Sequence, residues 1–73
     1  MTTEQATTLK TTLELMFERI AQKESIMEDL EQIERLQQEV RSTAPAQLRH
    51  YLERRSYSKA LDFLKEDFML DSD

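Results

Sequence analysis

The first half of the chain carries two apolar stripes at the three- and four-residue spacing of an amphipathic helix. The first stripe predicts a helix over about residues 5–22, and the second predicts one over about residues 26–42. At about 100° per residue, the second stripe is rotated by roughly 140° from the first. The stripes are Leu9, Leu13, Met16, Phe17 and Ile20, and then Ile26, Leu30, Ile33, Leu36 and Val40.

The junction at residues 22–25 leaves two interpretations open. Ser25 followed by Glu28 matches a capping box, in which each residue satisfies an unpaired backbone N–H of the other. A new helix starting there would explain the change of phase. Because neither glycine nor proline interrupts the junction, a continuous helix over about residues 5–41 is the alternative. Such a rod would be about 55 Å long at 1.5 Å per residue and would bury its stripe only against another chain.

Residues 45–68 predict two shorter helices, over about 45–54 and 57–69. Pro45 suits a first helical turn, since its missing N–H would be unpaired there, and Ser42 or Thr43 could cap that helix. The two stripes in this stretch point to nearly opposite sides of a helix, which predicts a turn at residues 54–56, with Ser56 as a possible cap. The stripes are Leu48, Tyr51 and Leu52, and then Tyr57, Ala60, Leu61, Leu64 and Phe68.

The composition favours a single all-α domain. The chain has 73 residues, with no glycine and no cysteine. Without glycine, hairpins and phosphate-binding loops are disfavoured, so we expect a hairpin or bundle of three to four helices. A domain of this size without disulfides usually needs another staple, and we therefore expect a homodimer. The expected core is Leu9, Leu13, Met16, Phe17, Ile20, Ile26, Leu30, Ile33, Leu36, Val40, Leu48, Leu52, Leu61, Leu64 and Phe68.

No residue pattern in the chain indicates catalysis. His50 and Glu53 share a helix face, but a metal site needs three or four ligands. The acidic ridge of Glu28, Asp29, Glu31 and Glu34 lies among polar neighbours, as a solvated face does. The serines lack a nearby histidine and a glycine-built oxyanion hole. We therefore expect no enzyme activity, no metal and no cofactor.

The same sequence predicts a cytoplasmic protein. The start of the chain has no apolar run of the kind found in a signal peptide, and no stretch approaches transmembrane length. The absence of cysteine fits a reducing compartment without demanding one. We therefore expect no membrane association.

Charge is segregated along the chain, whose net charge is −5. Residues 24–39 hold six acids and one arginine, and residues 40–61 hold five bases and one acid. One interpretation is that the acidic second helix lies beside the basic third, within the chain or between subunits. The other is that the basic region binds an acidic partner.

The basic region supplies the predicted binding site. Arginine and tyrosine are over-represented at interface hot spots. We expect a non-catalytic protein–protein interaction module, small subunit or adaptor. A nucleic-acid-associated regulator that uses residues 49–59 is the alternative, made less favourable by the acidic net charge. The predicted partner-binding residues are Arg49, Tyr51, Arg54, Arg55, Tyr57 and Lys59.

The sequence YSKAL at residues 57–61 resembles the second helix of a tetratricopeptide repeat. The resemblance covers only these residues. The expected tryptophan and glycine of a first helix are missing, and no second repeat follows. We therefore transfer no peptide-binding function from it.

Overall fold

Four helices make up the part of the chain that the structure describes. The computed structural model describes residues 1–66, with α1 at Thr3–Ala21, α2 at Met27–Glu39, α3 at Ala46–Glu53 and α4 at Tyr57–Glu66. The all-α prediction is confirmed. The predicted end of the fourth helix at about residue 69, and the expected core residue Phe68, lie outside the described residues.

α1 and α2 are separate helices, so residues 5–41 do not form a continuous rod. The break occurs at Lys23, whose φ of 61° is in the left-handed region. The Glu24 N–H donates to the Arg19 carbonyl (2.8 Å), and the Lys23 N–H donates to the Ile20 carbonyl (3.0 Å). These two bonds form a Schellman motif, which closes a helix by satisfying its last carbonyl groups. Here a lysine occupies the position that glycine usually fills.

The capping box predicted at Ser25 and Glu28 is not formed. α2 begins two residues after Ser25, and its N-cap position is Ile26, which makes no side-chain capping bond. A capping box requires the hydroxyl at the N-cap itself. A capping box is formed instead at the start of α1. There the Gln5 N–H donates to Thr2 Oγ1 and the Thr2 N–H donates to Gln5 Oε1, both at 3.0 Å.

The caps predicted for α3 are also absent, whereas the turn after it is confirmed. Pro45 occupies the N-cap position without a side-chain bond, because the residues before it form a turn closed by backbone bonds to the Val40 carbonyl. At the other end of α3, Arg55 has a φ of 59°. The Ser56 N–H donates to the Tyr51 carbonyl (2.8 Å) in a second Schellman motif.

The core lies where α1 packs against α2 and α4, and where α4 packs against α3. Most expected core residues are buried, but Ile20 is 47% exposed, so its predicted place in the core is wrong. Phe17, Ile26, Leu30 and Leu61 are only partly buried. The buried apolar residues include two alanines outside the stripes, Ala6 and Ala44, and a third, Ala60, that belongs to a stripe but was not in the expected core. The buried apolar residues are Ala6, Leu9, Leu13, Met16, Ile33, Leu36, Val40, Ala44, Leu48, Leu52, Ala60 and Leu64.

An ion pair joins the end of α1 to the start of α2. Arg19 Nη1 donates to both carboxylate oxygens of Asp29, at 3.1 and 3.2 Å. Asp29 is 6% exposed, and this single arginine nitrogen holds both of its oxygens. Because burying a carboxylate is unfavourable unless it is paired, this contact positions the first turn of α2 on α1.

The acidic second helix and the basic third helix do not pair within the chain. Across residues 1–66, none of the ion pairs joins α2 to α3. The cause is the packing, since α2 lies against α1 and α3 lies against α4. No ion pair therefore joins the acidic second helix to the basic third helix within residues 1–66, and complementarity between subunits stays a prediction.

Candidate protein-docking groove

Three neighbouring depressions lie along the side of α2 that faces α3 and the α3–α4 turn, and together they are called the groove, with an apolar end, a middle and a far end. Arg55 and Tyr57 line both the apolar end and the middle, and Leu52 and Glu53 line both the middle and the far end. The residues of α2 and its C-terminal turn that line the groove lie about one helical turn apart, and they are Ile26, Leu30, Glu34, Gln37, Gln38, Val40 and Arg41.

One end of the groove is apolar, with a volume of about 330 Å³. Ile20 at the end of α1 contributes a side chain that is 47% exposed. Met27 follows the lining residue Ile26 and is 70% exposed. The half-buried residues Phe17 and Leu30 complete the floor of this end. Ile20 is the most exposed of the apolar side chains that line this end, whereas Met27 is not one of the lining residues.

The middle and the far end of the groove are polar. Glu34, Glu53 and Arg55 line the middle. At the far end, a depression of about 220 Å³ is lined by Arg41 and Arg49. Arg49 Nη1 donates to the Arg41 carbonyl at 3.3 Å, and within residues 1–66 the buried Arg49 Nε has no hydrogen-bond acceptor.

The structure divides the six predicted partner-binding residues between two surfaces. Arg49, Arg55 and Tyr57 line the groove. Arg54 is exposed beside Arg55. The remaining two, Tyr51 and Lys59, line a different depression together with Asp62, Phe63 and Glu66. Tyr51 is held there by Gln47, whose Nε2 donates to the tyrosine hydroxyl at 2.6 Å.

The apolar residues of the groove were not predicted as a site. Phe17, Ile20, Ile26 and Leu30 belong to the apolar stripes and were assigned to the core. One signal in the sequence could have identified them, since the two stripes diverge where α1 meets α2. Residues at the diverging ends cannot all point to one core. Met27, which lies outside both stripes, is a second signal at the same place.

The groove presents side chains suited to binding contacts. Outside it, His50 is exposed and lies beside its neighbour Tyr51, with the ring centroids 6.3 Å apart and the rings tilted by 53°. Within residues 1–66, no group of three His, Cys, Asp or Glu residues is placed to hold a metal ion. What the groove presents is aliphatic and aromatic carbon at one end and guanidinium groups at the other.

None of the helices described over residues 1–66 has the length and apolar character needed to cross a membrane. No protein family model, curated protein or solved structure matches this chain.

Proposed function

We propose that this chain is a non-catalytic protein–protein interaction module of the cytoplasm, which holds an apolar segment of a partner protein in the groove between α2 and α3. The observation that carries this proposal is the apolar end of the groove, where the lining residue Ile20 is 47% exposed. Apolar patches rimmed by polar residues are typical of interaction sites.

The apolar end supplies the affinity in this proposal. Fully burying an isoleucine side chain contributes about 1.5–3 kcal/mol, and Ile20 still exposes about half of its surface to water. Tyr57 lies on the opposite wall of the same depression. Tyrosine binds an apolar side chain with its ring while its hydroxyl stays hydrated.

The remainder of the groove supplies orientation. Its α2 wall extends from Ile26 to Arg41, which is about 22 Å at 1.5 Å per residue. An extended segment of about seven residues spans that distance at about 3.3 Å per residue. The guanidinium groups of Arg55 and Arg49 would then interact with acidic side chains of the partner.

Selection from a displayed library of random peptides tests this proposal. The wild-type chain is the bait, and an Ile20→Glu variant is used for counter-selection. We expect enriched peptides with aliphatic and acidic residues. Their affinity, measured by fluorescence anisotropy, should fall at least about tenfold in Ile20→Glu, because a charge replaces an apolar contact.

Leu15→Glu is the matched control. Leu15 lies on the same helix and is 43% exposed, close to the 47% of Ile20, but it is not among the residues that line the groove. We expect this variant to keep the affinity of the wild type. Equal losses in both variants would overturn the proposal, and so would an Ile20→Glu variant that alters neither peptide binding nor self-association of the chain.

Nucleic-acid binding is the alternative that the same experiment can include. Glu34 and Glu53 lie beside Arg55 in the groove, and this acidic charge disfavours phosphate. Binding of labelled DNA or RNA that falls steeply with added salt and is lost in Arg54→Glu/Arg55→Glu would favour a phosphate-contacting regulator. A protein interface centred on apolar side chains should respond weakly to salt.

A further inference from the structure

We infer that the partner in the groove is a second copy of this chain, related to the first by a two-fold axis parallel to the groove. The inference rests on the proposed function and identifies its partner. It follows from the charges on the two walls of the groove and from the order of features along it.

The two walls carry opposite charge. On the α2 wall, Glu34 lines the groove, and the exposed Glu31 lies one turn before it. On the opposite wall, Arg55 lines the groove and Arg54 is exposed beside it. None of these four side chains takes part in an ion pair within residues 1–66. Glu53 also lines this stretch, so the second wall carries two arginines and one acid.

Symmetry then decides between possible arrangements. In a two-fold dimer the same surface is used by both subunits. When the axis runs parallel to the groove, each position along the groove of one subunit lies opposite the same position in the other subunit. The α2 wall of each subunit then faces the opposite wall of its partner. The acidic wall of one copy therefore faces the basic wall of the other, and the apolar ends meet. An axis across the groove would place acid against acid and apolar end against polar end.

The apolar end is the centre of this interface. There, Ile20 and Leu30 of both copies become buried together, and Tyr57 closes the side of the depression. The Arg41 and Arg49 end would meet its own copy and is therefore expected at the solvated rim. Rim charges select the partner and its orientation more than they add affinity, so the arginines and glutamates specify the pairing of the walls.

The size of the chain supports self-association independently of charge. The chain has 73 residues and no cysteine, and residues 1–66 hold no metal-ligand cluster. Domains of this size bury a smaller fraction of their surface than larger domains do, and they commonly depend on disulfides, metals or oligomerisation. A self-interface at the apolar end of the groove would remove from water the Ile20 side chain, which the monomer leaves 47% exposed.

A charge-exchange experiment tests the inference. Solution mass is measured by light scattering and sedimentation velocity over dilutions from about 1 mM to about 1 μM. We expect a wild-type dimer. Arg54→Glu/Arg55→Glu reverses one wall and Glu31→Lys/Glu34→Lys reverses the other. Each variant alone should have a dimer Kd at least about tenfold higher, since like charges then face each other.

Mixing the two variants is the decisive step. An equimolar mixture should recover the dimer, because one reversed basic wall now faces one reversed acidic wall. Lys59→Glu, which changes an exposed charge in the other depression, is the control and should dimerise like the wild type. Circular dichroism of every variant verifies that the helices are intact.

Two results would overturn the inference while leaving the proposed function standing. A wild-type chain that is monomeric at every dilution but still binds the selected peptides through Ile20 has another partner. A dimer that neither wall reversal weakens uses another surface. Failure of the proposed function would differ from both, since Ile20→Glu would then alter neither peptide binding nor dimerisation.

Discussion

Within residues 1–66, Lys23 and Arg55 are the two residues whose backbone adopts a positive φ, at 61° and 59°. In an L-residue with a Cβ atom, the left-handed helical conformation costs about 1–2 kcal/mol. Both residues occupy the position after a helix C-cap, where the conformation lets two backbone N–H groups reach the last carbonyl groups. The chain therefore ends two helices with a motif that glycine usually supplies, although it contains no glycine.

Lys23→Gly should raise the free energy of unfolding by about 1 kcal/mol, because glycine removes the steric cost of a positive φ. Lys23 is exposed and makes no ion pair within residues 1–66, so the change removes no contact. Urea denaturation followed by circular dichroism measures the effect. The control is Gln22→Gly, one residue earlier, where φ is −93°. That change should lower stability, and a similar shift in both variants would show that φ is not the cause.

Arg55 has the same backbone geometry as Lys23 but lies in the groove. Substituting it by glycine should therefore raise the stability of the fold and weaken binding in the groove. Arg55→Gly should stabilise the fold by about 1 kcal/mol for the reason given for Lys23. It also removes a guanidinium group from the basic wall. We expect higher stability in urea together with weaker dimerisation in light scattering. A variant that is more stable and dimerises normally would show that Arg55 serves only the turn.

The Arg19–Asp29 pair acts at the scale of helix elements, because it holds the start of α2 against the end of α1. Arg19→Met leaves the 6% exposed carboxylate of Asp29 without its donor and should lower the free energy of unfolding by about 1–3 kcal/mol. The double variant Arg19→Met/Asp29→Leu should recover most of that loss, since no buried charge remains unpaired. Thermal and urea unfolding of the two variants measure the difference.

The exposed pair of Lys65 and Glu14 provides the comparison, with atoms 4.0 Å apart. Glu14→Gln should change stability by less than about 1 kcal/mol, because solvent screens exposed ion pairs. A double variant at positions 19 and 29 that is no more stable than Arg19→Met would show that the lost energy does not come from an unpaired carboxylate.

The helices themselves could be predicted from the sequence, but the way they pack could not. Periodicity identifies the buried side of a helix from its large apolar residues, as at Leu9, Leu13 and Met16. Alanine carries little of this signal, so Ala6 and Ala44 were missed, and Ala60 was placed in a stripe but not in the expected core. Ile20 was misassigned because periodicity does not reveal where a neighbouring helix stops covering a stripe. The Arg19–Asp29 pair was missed because it depends on how α1 and α2 meet.

Ala60 tests the importance of a small residue on a packed helix. It is fully buried on α4, the helix that packs against both α1 and α3. Ala60→Leu adds volume to a close-packed site and should lower the free energy of unfolding by about 1–3 kcal/mol. Ala46→Leu, at an exposed position of α3, is the matched control and should be nearly neutral. Chemical denaturation measures both, and equal effects would mean that Ala60 is not constrained by packing.

At the scale of the whole molecule, the close contacts follow the order α2, α1, α4, α3. α1 and α4 each have two closely packed neighbours, whereas α2 and α3 each have one. The chain connects α2 to α3 directly, yet these helices are not among the closely packed pairs. Because α2 and α3 do not pack closely on each other, the groove stays open along α2. The same lack of contact leaves these two outer helices less buried than α1 and α4.

Hydrogen exchange should therefore differ between the helices. Local opening follows the number of buried contacts that an element makes, so amides at Leu13 and Met16 in α1 should exchange most slowly. The amide of Leu52 in α3, an eight-residue helix with one closely packed neighbour, should exchange at least about tenfold faster, equivalent to about 1.4 kcal/mol in opening free energy. Amide exchange followed by NMR on a dilute sample measures this difference. Equal exchange rates in α1 and α3 would mean that the four helices open only together. Having one closely packed neighbour instead of two would then not lower the local stability of α3.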